Sequence, residues 1–141
     1  MSERYYLKHR DITIGAFVRS DNDLTYLPNI PQADKLPTLL GYPPGIFSMD
    51  RTKTPWTVNK KKVGDSESIT NWLIRRIFSK ERPDLQNLLK CLGLDEYDPW
   101  EIVKKTKGVT KNDNFWITQY EEDNFKKSVL DDVTFIVTTV N

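Results

Sequence analysis

The fold class is decided by residues 12–27, which read ITIGAFVRSDNDLTYL. From Ile12 to Val18 every second residue is apolar, and this period of two is typical of a half-buried β-strand. The DND sequence at 21–23 predicts a turn, and residues 24–27 then form a second β-prone run. Together with the β-prone residues 5–7, this pattern predicts an antiparallel β-meander over residues 4–28.

The composition changes after the predicted meander, because residues 28–65 contain six of the eight prolines. Proline lacks an amide proton and has a fixed φ, so this segment favours neither a long helix nor a central strand. A free linker would not need the many apolar residues that it carries, which are Leu36, Leu39, Leu40, Tyr42, Ile46, Phe47 and Trp56. We predict an ordered proline-rich loop that either packs on the domain or binds a partner.

Helical signals dominate the next part of the chain, residues 66–130. Capping residues and apolar residues three and four apart predict helices that begin near Asp65, Pro83 and Asp98. Residues 121–130 favour a further helix, and the alternation over 133–140 predicts a C-terminal strand. The expected fold is therefore α+β, with residues 1–141 forming a single domain.

The composition argues against several classes of protein. The chain has 141 residues, 21 basic and 20 acidic side chains and a net charge of +1, so it has no global attraction for nucleic acid or anionic membranes. It has one cysteine, Cys91, which allows no internal disulfide, and no apolar run of about 18 residues. No apolar stretch of a signal peptide follows the first residues. We expect a cytoplasmic protein that binds no membrane.

Residues for common catalytic chemistry are scarce. His9 is the single histidine and Cys91 the single cysteine, so a zinc site of the usual ligand types cannot form, while a Cys91–His9 nucleophile pair is formally possible. Cys91 follows a leucine stripe, which predicts a buried thiol rather than a nucleophile. The chain has no glycine-rich phosphate loop and no G-x-S-x-G elbow. We therefore expect no catalytic residues, no metal site, no cofactor and no enzymatic activity.

A candidate contact surface lies within the proline-rich segment. Trp56 stands near basic residues, and exposed tryptophan is a frequent anchor of protein interfaces. The residues predicted to bind a partner are Tyr42, Phe47, Trp56, Lys60, Lys61 and Lys62. The lysines, with Arg75 and Arg76, also allow a nucleic-acid contact, although such a short run is more often a solvated loop.

Three stretches of the sequence carry a resemblance to a known family. The most specific is 108–117, GVTKNDNFWI, which is similar to a family run of Gly, apolar, Ser/Thr, two variable residues, Asp, a variable residue, aromatic, Trp and Ile. The spacing of Trp72, Arg76 and Arg82 and the LKHRDI run at 7–12 also match. They resemble the N-terminal region of HipA-like serine/threonine kinases, particularly those of Gram-positive bacteria. The residues that carry the match are His9, Trp72, Arg76, Arg82, Gly108, Asp113 and Trp116.

The resemblance implies a relative of a non-catalytic region that stands alone without the kinase domain. In HipA-like systems such regions lie near partner-protein contacts and regulate the kinase. The matched residues are interpreted as structural, with Trp116 in the core and Arg76 and Arg82 in ion pairs. The chain departs from the family at Ser79, where proline is common.

The sequence supports three functional hypotheses. The leading one is a non-catalytic regulatory module that acts sterically on a protein or nucleoprotein partner, such as a kinase or toxin of its own system. The first alternative is a phage or mobile-element inhibitor of a host defence enzyme, for example an anti-CRISPR protein that binds a CRISPR nuclease. The second is a nucleic-acid-binding accessory protein. The sequence does not indicate an oligomeric state.

Overall fold

Six strands and five short helices make up residues 2–125, which are the residues that the computed structural model describes. The strands are β1 (Ser2–His9), β2 (Ile12–Ser20), β3 (Asp23–Pro28), β4 (Phe47–Asp50), β5 (Thr57–Val63) and β6 (Phe115–Thr118). The helices are α1 (Ile30–Ala33), α2 (Thr38–Gly41), α3 (Ser66–Ile74), α4 (Leu85–Cys91) and α5 (Pro99–Thr106). This α+β fold confirms the predicted class.

The main sheet is antiparallel and has the strand order β3-β2-β1-β6. Its first three strands form the predicted meander. Arg10 and Asp21 adopt left-handed backbone conformations, with φ of 54° and 56°, in the two tight connections of this meander. The last strand of the sheet, β6, comes from much later in the chain, so the sheet joins the two ends of the described region.

The centre of β2 is buried on both faces, since the neighbours Ala16 and Phe17, which point to opposite faces, are 5% and 0% exposed. A bulge also interrupts its alternation. Leu7 of β1 pairs with Gly15, but the next residue, Lys8, pairs with Thr13, so Ile14 is an extra residue in β2. Ile14 and Phe17 are both fully buried. The predicted half-buried strand therefore has both faces covered at its centre.

Helix α3 covers one face of the sheet and is held there by capping contacts. The Asp65 side chain accepts a hydrogen bond from the backbone N–H of Ser68 at 2.9 Å, as expected for an N-cap. The Oγ of Ser66 accepts one from the backbone N–H of Leu24 in β3 at 3.0 Å. Trp72 packs tilted against Phe17 of β2, with 6.0 Å between ring centroids. Within residues 2–125, no helix is long and apolar enough to cross a membrane.

The proline-rich segment contains regular structure and is not a loop. Pro31 lies in the first turn of α1, and Pro37 is the N-cap residue of α2, two positions that need no amide proton. Strands β4 and β5 then form a second, two-stranded antiparallel sheet. The prolines therefore mark the boundaries of short elements, which is why the segment could be mistaken for a loop.

Residues 66–125 are less helical than predicted. The first helix, α3, ends at Ile74, and turns separate the three helices. Residues 111–112 form a turn without a helix, because Asp113 accepts a hydrogen bond from the backbone N–H of Phe115 at 3.1 Å and the chain enters β6. Half of the helix predicted over 121–130, and all of the strand predicted over 133–140, lie outside the described residues.

Candidate functional site

Two of the predicted contact residues, Tyr42 and Phe47, belong to the hydrophobic core. Each is 1% exposed, and their rings meet edge to face with centroids 5.2 Å apart. Phe47 also contacts the ring of Tyr26, and the hydroxyl of Tyr42 donates a hydrogen bond to Asp34. Both are predicted from the sequence to bind a partner, but the structure places them in the core. They are buried because the segment folds back on the sheet, so they are not available to a partner.

The β4–β5 hairpin is anchored at its base and exposed at its tip. At the base, Phe47 is buried and the backbone N–H of Gly64 donates a hydrogen bond to the carbonyl oxygen of Ile46 at 2.7 Å. Residues 51–57, which form the tip, are all exposed. The tip can therefore touch another molecule without any change in the core.

Trp56 is the main apolar group of this tip and is 57% exposed. The guanidinium carbon of Arg51 lies 4.9 Å from the centroid of its ring, which is a cation–π distance. An Arg stacked on an exposed Trp offers a flat apolar surface with a positive edge. Both residue types are enriched among the side chains that contribute most to protein interfaces.

The three consecutive lysines form an irregular part of β5. Phe47 pairs with Val63, but Met49 pairs with Val58, so β5 has more residues than β4 between these two pairs. This wide bulge contains Lys60, Lys61 and Lys62, all of which are exposed. The Nζ of Lys60 lies 4.8 Å from the centroid of the Tyr42 ring, so this lysine leans towards the body of the domain.

The hairpin is strongly basic although the whole chain is almost neutral. Residues 47–63 contain five basic side chains, Arg51, Lys53, Lys60, Lys61 and Lys62. Asp50 is their single acidic residue, and its carboxylate accepts hydrogen bonds from the backbone N–H and the hydroxyl of Thr52. These hydrogen bonds lower the pKa of Asp50 below its ordinary value. The hairpin is thus a local positive surface that suits an acidic partner.

Most of the residues that carry the family resemblance meet in a second place, around Arg76. This side chain is 7% exposed and forms a bidentate ion pair with Asp113, at 2.8 and 2.6 Å. It also donates to the carbonyl oxygens of Gly108 at 2.8 Å and Phe115 at 2.9 Å. Its guanidinium carbon lies 4.7 Å from the ring centroid of Trp72. Four of its five N–H groups are therefore used to join α3 to the chain that enters β6.

The ionisation of Asp113 depends on this network. Burial favours the neutral carboxyl and raises its pKa, but the hydrogen bonds and charge of Arg76 and the backbone N–H of Phe115 act in the opposite direction and prevail. The net result is a pKa below the ordinary value of 3.8. Asp113 is therefore an anion that is matched to Arg76, which is the arrangement of a structural ion pair.

The other motif residues also have structural contacts. Trp116 is fully buried, and its Nε1 donates to the carbonyl oxygen of Arg10 at 2.6 Å. His9 packs edge to face on Phe115, with centroids 5.0 Å apart, and burial lowers its pKa. Arg82 forms an ion pair with Asp84 at 2.9 Å, away from the Arg76 network.

Groups that could support catalysis are not brought together in the described part of the chain. No cluster of three or more His, Cys, Asp or Glu side chains there could hold a metal ion. Cys91 is exposed, contrary to the predicted burial, because it lies on the solvent side of the last turn of α4 while Leu88 and Leu89 face the core.

Two contributors to these surfaces are missed by the sequence interpretation. Arg51 and Lys53 lie on the same hairpin as Trp56, but the proline content of this segment predicts a loop. A useful signal is present, since an Arg and a Lys precede the Thr-Pro-Trp sequence within five residues. The placement of Lys111 and Arg75 around one cavity has no such signal, because it depends on the tertiary fold.

Comparison with known proteins gives no assignment: no family model, no curated protein and no solved structure matches this chain. The resemblance to the N-terminal region of HipA-like kinases therefore stays a prediction. Inferences about function rest on the geometry of the hairpin and of the Arg76 network.

Proposed function

We propose that this chain is a non-catalytic binding module that regulates a partner protein sterically, through the β4–β5 hairpin. The observation that carries the proposal is the exposed, basic tip on which Arg51 stacks against Trp56. The module acts in the cytoplasm, where the single thiol of Cys91 stays reduced. Its partner is a kinase or toxin of its own system, as the family resemblance implies.

The exposed Trp56 supports a contact role on energetic grounds. An interface can bury roughly 150–250 Å² of a tryptophan side chain, and apolar burial contributes about 25 cal/mol per Å². The Trp56 ring is not part of the hydrophobic core, since it lies at the exposed tip and contacts Arg51. The exposed surface of this ring stays in contact with water after folding. Its burial by a partner would therefore contribute strongly to the binding affinity.

The charges of the hairpin indicate the kind of surface that it meets. Five of the chain's 21 basic side chains, but only one of its 20 acidic ones, lie in residues 47–63. An acidic patch on a partner protein would be complementary to this surface and would speed association. Aromatic and basic groups in combination also suit single-stranded nucleic acid, but the net charge of +1 gives little long-range attraction for a phosphate backbone.

The experiment is an affinity capture from a bacterial lysate with three forms of the tagged chain, each with and without nuclease. The first form is the wild type, and the second is a hairpin variant that combines Trp56→Ala with Lys61→Gln and Lys62→Gln. The matched control combines Leu39→Ala with Lys90→Gln and Lys105→Gln, because these side chains are also exposed but lie outside the hairpin. Recovered proteins are quantified by mass spectrometry.

We expect a protein that is recovered with the wild type and the control, lost with the hairpin variant, and unaffected by nuclease. Direct binding of the purified partner then gives the affinity. Recovery only in the untreated arm would replace the proposal by nucleic-acid binding. Equal recovery with the hairpin variant would remove the hairpin from the contact surface.

A further inference from the structure

A second surface feature is a polar cavity of about 320 Å³ between the end of α3 and the loop that precedes β6. Arg75, Ser79 and Arg82, from the end of α3 and the turns after it, line the cavity together with Thr110, Lys111 and Asn112 from the loop before β6. A cleft of about 240 Å³ shares several of these residues and extends the cavity towards Pro44 and Trp72. The β4–β5 hairpin begins beyond Pro44, so this is a separate site.

The cavity has an excess of positive charge. Four cationic side chains line it, Arg75, Arg76, Arg82 and Lys111, and among its described lining residues none is acidic. Two of these positive charges are neutralised by ion pairs, since Arg76 pairs with Asp113 and Arg82 pairs with Asp84. The ion pairs fix these two guanidinium groups in place, and they leave Arg75 and Lys111 as the source of the net charge.

Arg75 is held at the mouth of the cavity in a defined position. Its Nε donates to the carbonyl oxygen of Asn71 at 3.3 Å, one turn earlier in α3. This contact offsets part of the negative end of the helix dipole, which would otherwise oppose an anion. Lys111 also lines the cavity and makes no ion pair with any described residue.

Neutral polar groups complete the lining. The Oγ of Ser79 accepts a hydrogen bond from the backbone N–H of Glu81 at 3.1 Å, and that of Thr110 accepts one from the backbone N–H of Asn112 at 3.3 Å. The Thr110 hydroxyl also hydrogen-bonds the Asp113 carboxylate, so Ser79 is the lining hydroxyl that can still donate to a ligand. Hydroxyl and guanidinium groups are typical donors for the oxygens of a phosphate group.

We propose that this cavity binds a phosphate monoester, with Arg75 and Lys111 as the principal cationic contacts. The phosphate oxygens accept from Arg75 and Lys111, while the hydroxyl of Ser79 and the side-chain amide of Asn112 set the orientation of the ligand. The cleft towards Trp72 provides room for the group that the phosphate is attached to. The shared chemistry is the phosphate ester, whether it comes from a nucleotide or from a phosphorylated amino acid.

The test is an NMR titration of the full ¹⁵N-labelled chain with inorganic phosphate, O-phosphoserine and adenosine monophosphate, at constant ionic strength set with chloride. We expect saturable shifts of the Arg75 Nε–H signal and of the amide signals of Ser79, Thr110 and Asn112, with Kd values near about 1 mM. Both esters should bind more tightly than inorganic phosphate. Tighter binding of phosphoserine would indicate a phosphorylated protein as the source, and tighter binding of adenosine monophosphate a nucleotide.

The variant that combines Arg75→Gln and Lys111→Gln should bind at least about tenfold more weakly, while the control with Lys90→Gln and Lys105→Gln should bind like the wild type. The amide spectrum of each variant shows whether it is folded. Shifts that do not saturate, that persist in the double variant, or that chloride alone reproduces would overturn the proposal. Equal affinity for the esters and inorganic phosphate would overturn the assignment to a monoester and leave a site for the simple anion.

Discussion

The molecule contains two Arg–Trp pairs with nearly the same separation but opposite environments. Arg76 lies 4.7 Å from the ring of Trp72, and Arg51 lies 4.9 Å from the ring of Trp56. The first pair is buried, with exposures of 7% for Arg76 and 8% for Trp72, whereas Trp56 is 57% exposed. The distance between arginine and ring is therefore nearly the same in the two pairs, whereas their exposure to solvent differs.

The difference shows that surroundings, and not the contact itself, separate a structural pair from a candidate binding pair. Arg76 is surrounded by Asp113 and two backbone carbonyls, which compensate for its removal from water. Among the described residues, the side chain of Arg51 has no hydrogen-bond or ion-pair partner. The Arg51–Trp56 pair can therefore exchange water for another molecule at low cost. The first pair should govern stability and the second should govern binding.

The largest expected effect is on stability, at Arg76. The Arg76→Ala variant leaves Asp113 and the carbonyls of Gly108 and Phe115 without their donor, so we expect a loss of about 3 kcal/mol in the free energy of unfolding. Arg76→Lys keeps the charge but not the bidentate geometry, and should fall between this variant and the wild type. Urea denaturation measures both.

The matched exposed variant is Arg51→Ala, which should change the free energy of unfolding by no more than about 0.5 kcal/mol. Similar losses for Arg76→Ala and Arg51→Ala would contradict the comparison. It would mean that the cation–π contact, and not the surrounding network, stabilises both sites.

The next effect is a pH dependence that belongs to the buried pair alone. The pKa of Asp113 in the folded chain lies below the ordinary 3.8, so the ionised carboxylate stabilises the fold. This stabilisation is fully present above the unfolded pKa and is lost as the pH falls through the lower folded pKa. Asp113→Asn should therefore be less stable than the wild type at neutral pH, and the two stability curves should converge on acidification below about pH 4.

Urea denaturation at a series of pH values measures this convergence. The exposed-residue variant Asp95→Asn serves as the control and should follow the wild-type curve. A constant difference between Asp113→Asn and the wild type across the acidic range would show that the carboxylate charge of Asp113 does not contribute to stability.

How far the sequence predicts these two sites depends on the range of the interactions that build them. The meander is predicted correctly because its alternation and its turns are local signals, and the caps at Asp65 and Asp98 are local as well. The β4–β5 hairpin is missed because its ladder is irregular and its prolines resemble those of a loop. Only the folded chain shows that these prolines lie at the ends of elements.

The candidate site shows the same limit. Trp56 and the lysines could be selected from composition, but Tyr42 and Phe47 have the same chemistry and are buried. No local pattern distinguishes them, because their burial comes from packing against Tyr26 and Asp34, which lie elsewhere in the chain. The ion pair of Arg76 and Asp113 also joins positions 37 residues apart. The sequence therefore identifies residues whose chemistry suits a contact surface, and the tertiary structure shows which of these residues are exposed.

A smaller effect is expected on binding, at Trp56. Trp56→Ala should weaken binding of the captured partner by more than about 1 kcal/mol, because the ring loses its contact area, while the unfolding midpoint stays unchanged. Leu39→Ala is the matched control, since Leu39 is also 57% exposed but lies in α2. Isothermal titration calorimetry measures the affinities. An unchanged affinity of a well-folded Trp56→Ala variant would remove Trp56 from the interface.

The smallest effect tests whether the exposed pair acts as a unit. A double-mutant cycle with Arg51→Ala and Trp56→Ala isolates their coupling in partner binding, which we expect to be about 0.5–1 kcal/mol, as for an exposed cation–π pair that becomes covered. The same cycle measured on unfolding should give a coupling close to zero, because water competes for Arg51 in the free protein. A coupling in unfolding as large as that in binding would mean that the hairpin tip is a stabilising element of the fold. The two Arg–Trp pairs would then differ in degree only, and the affinity of the module would have to come from the lysines of β5.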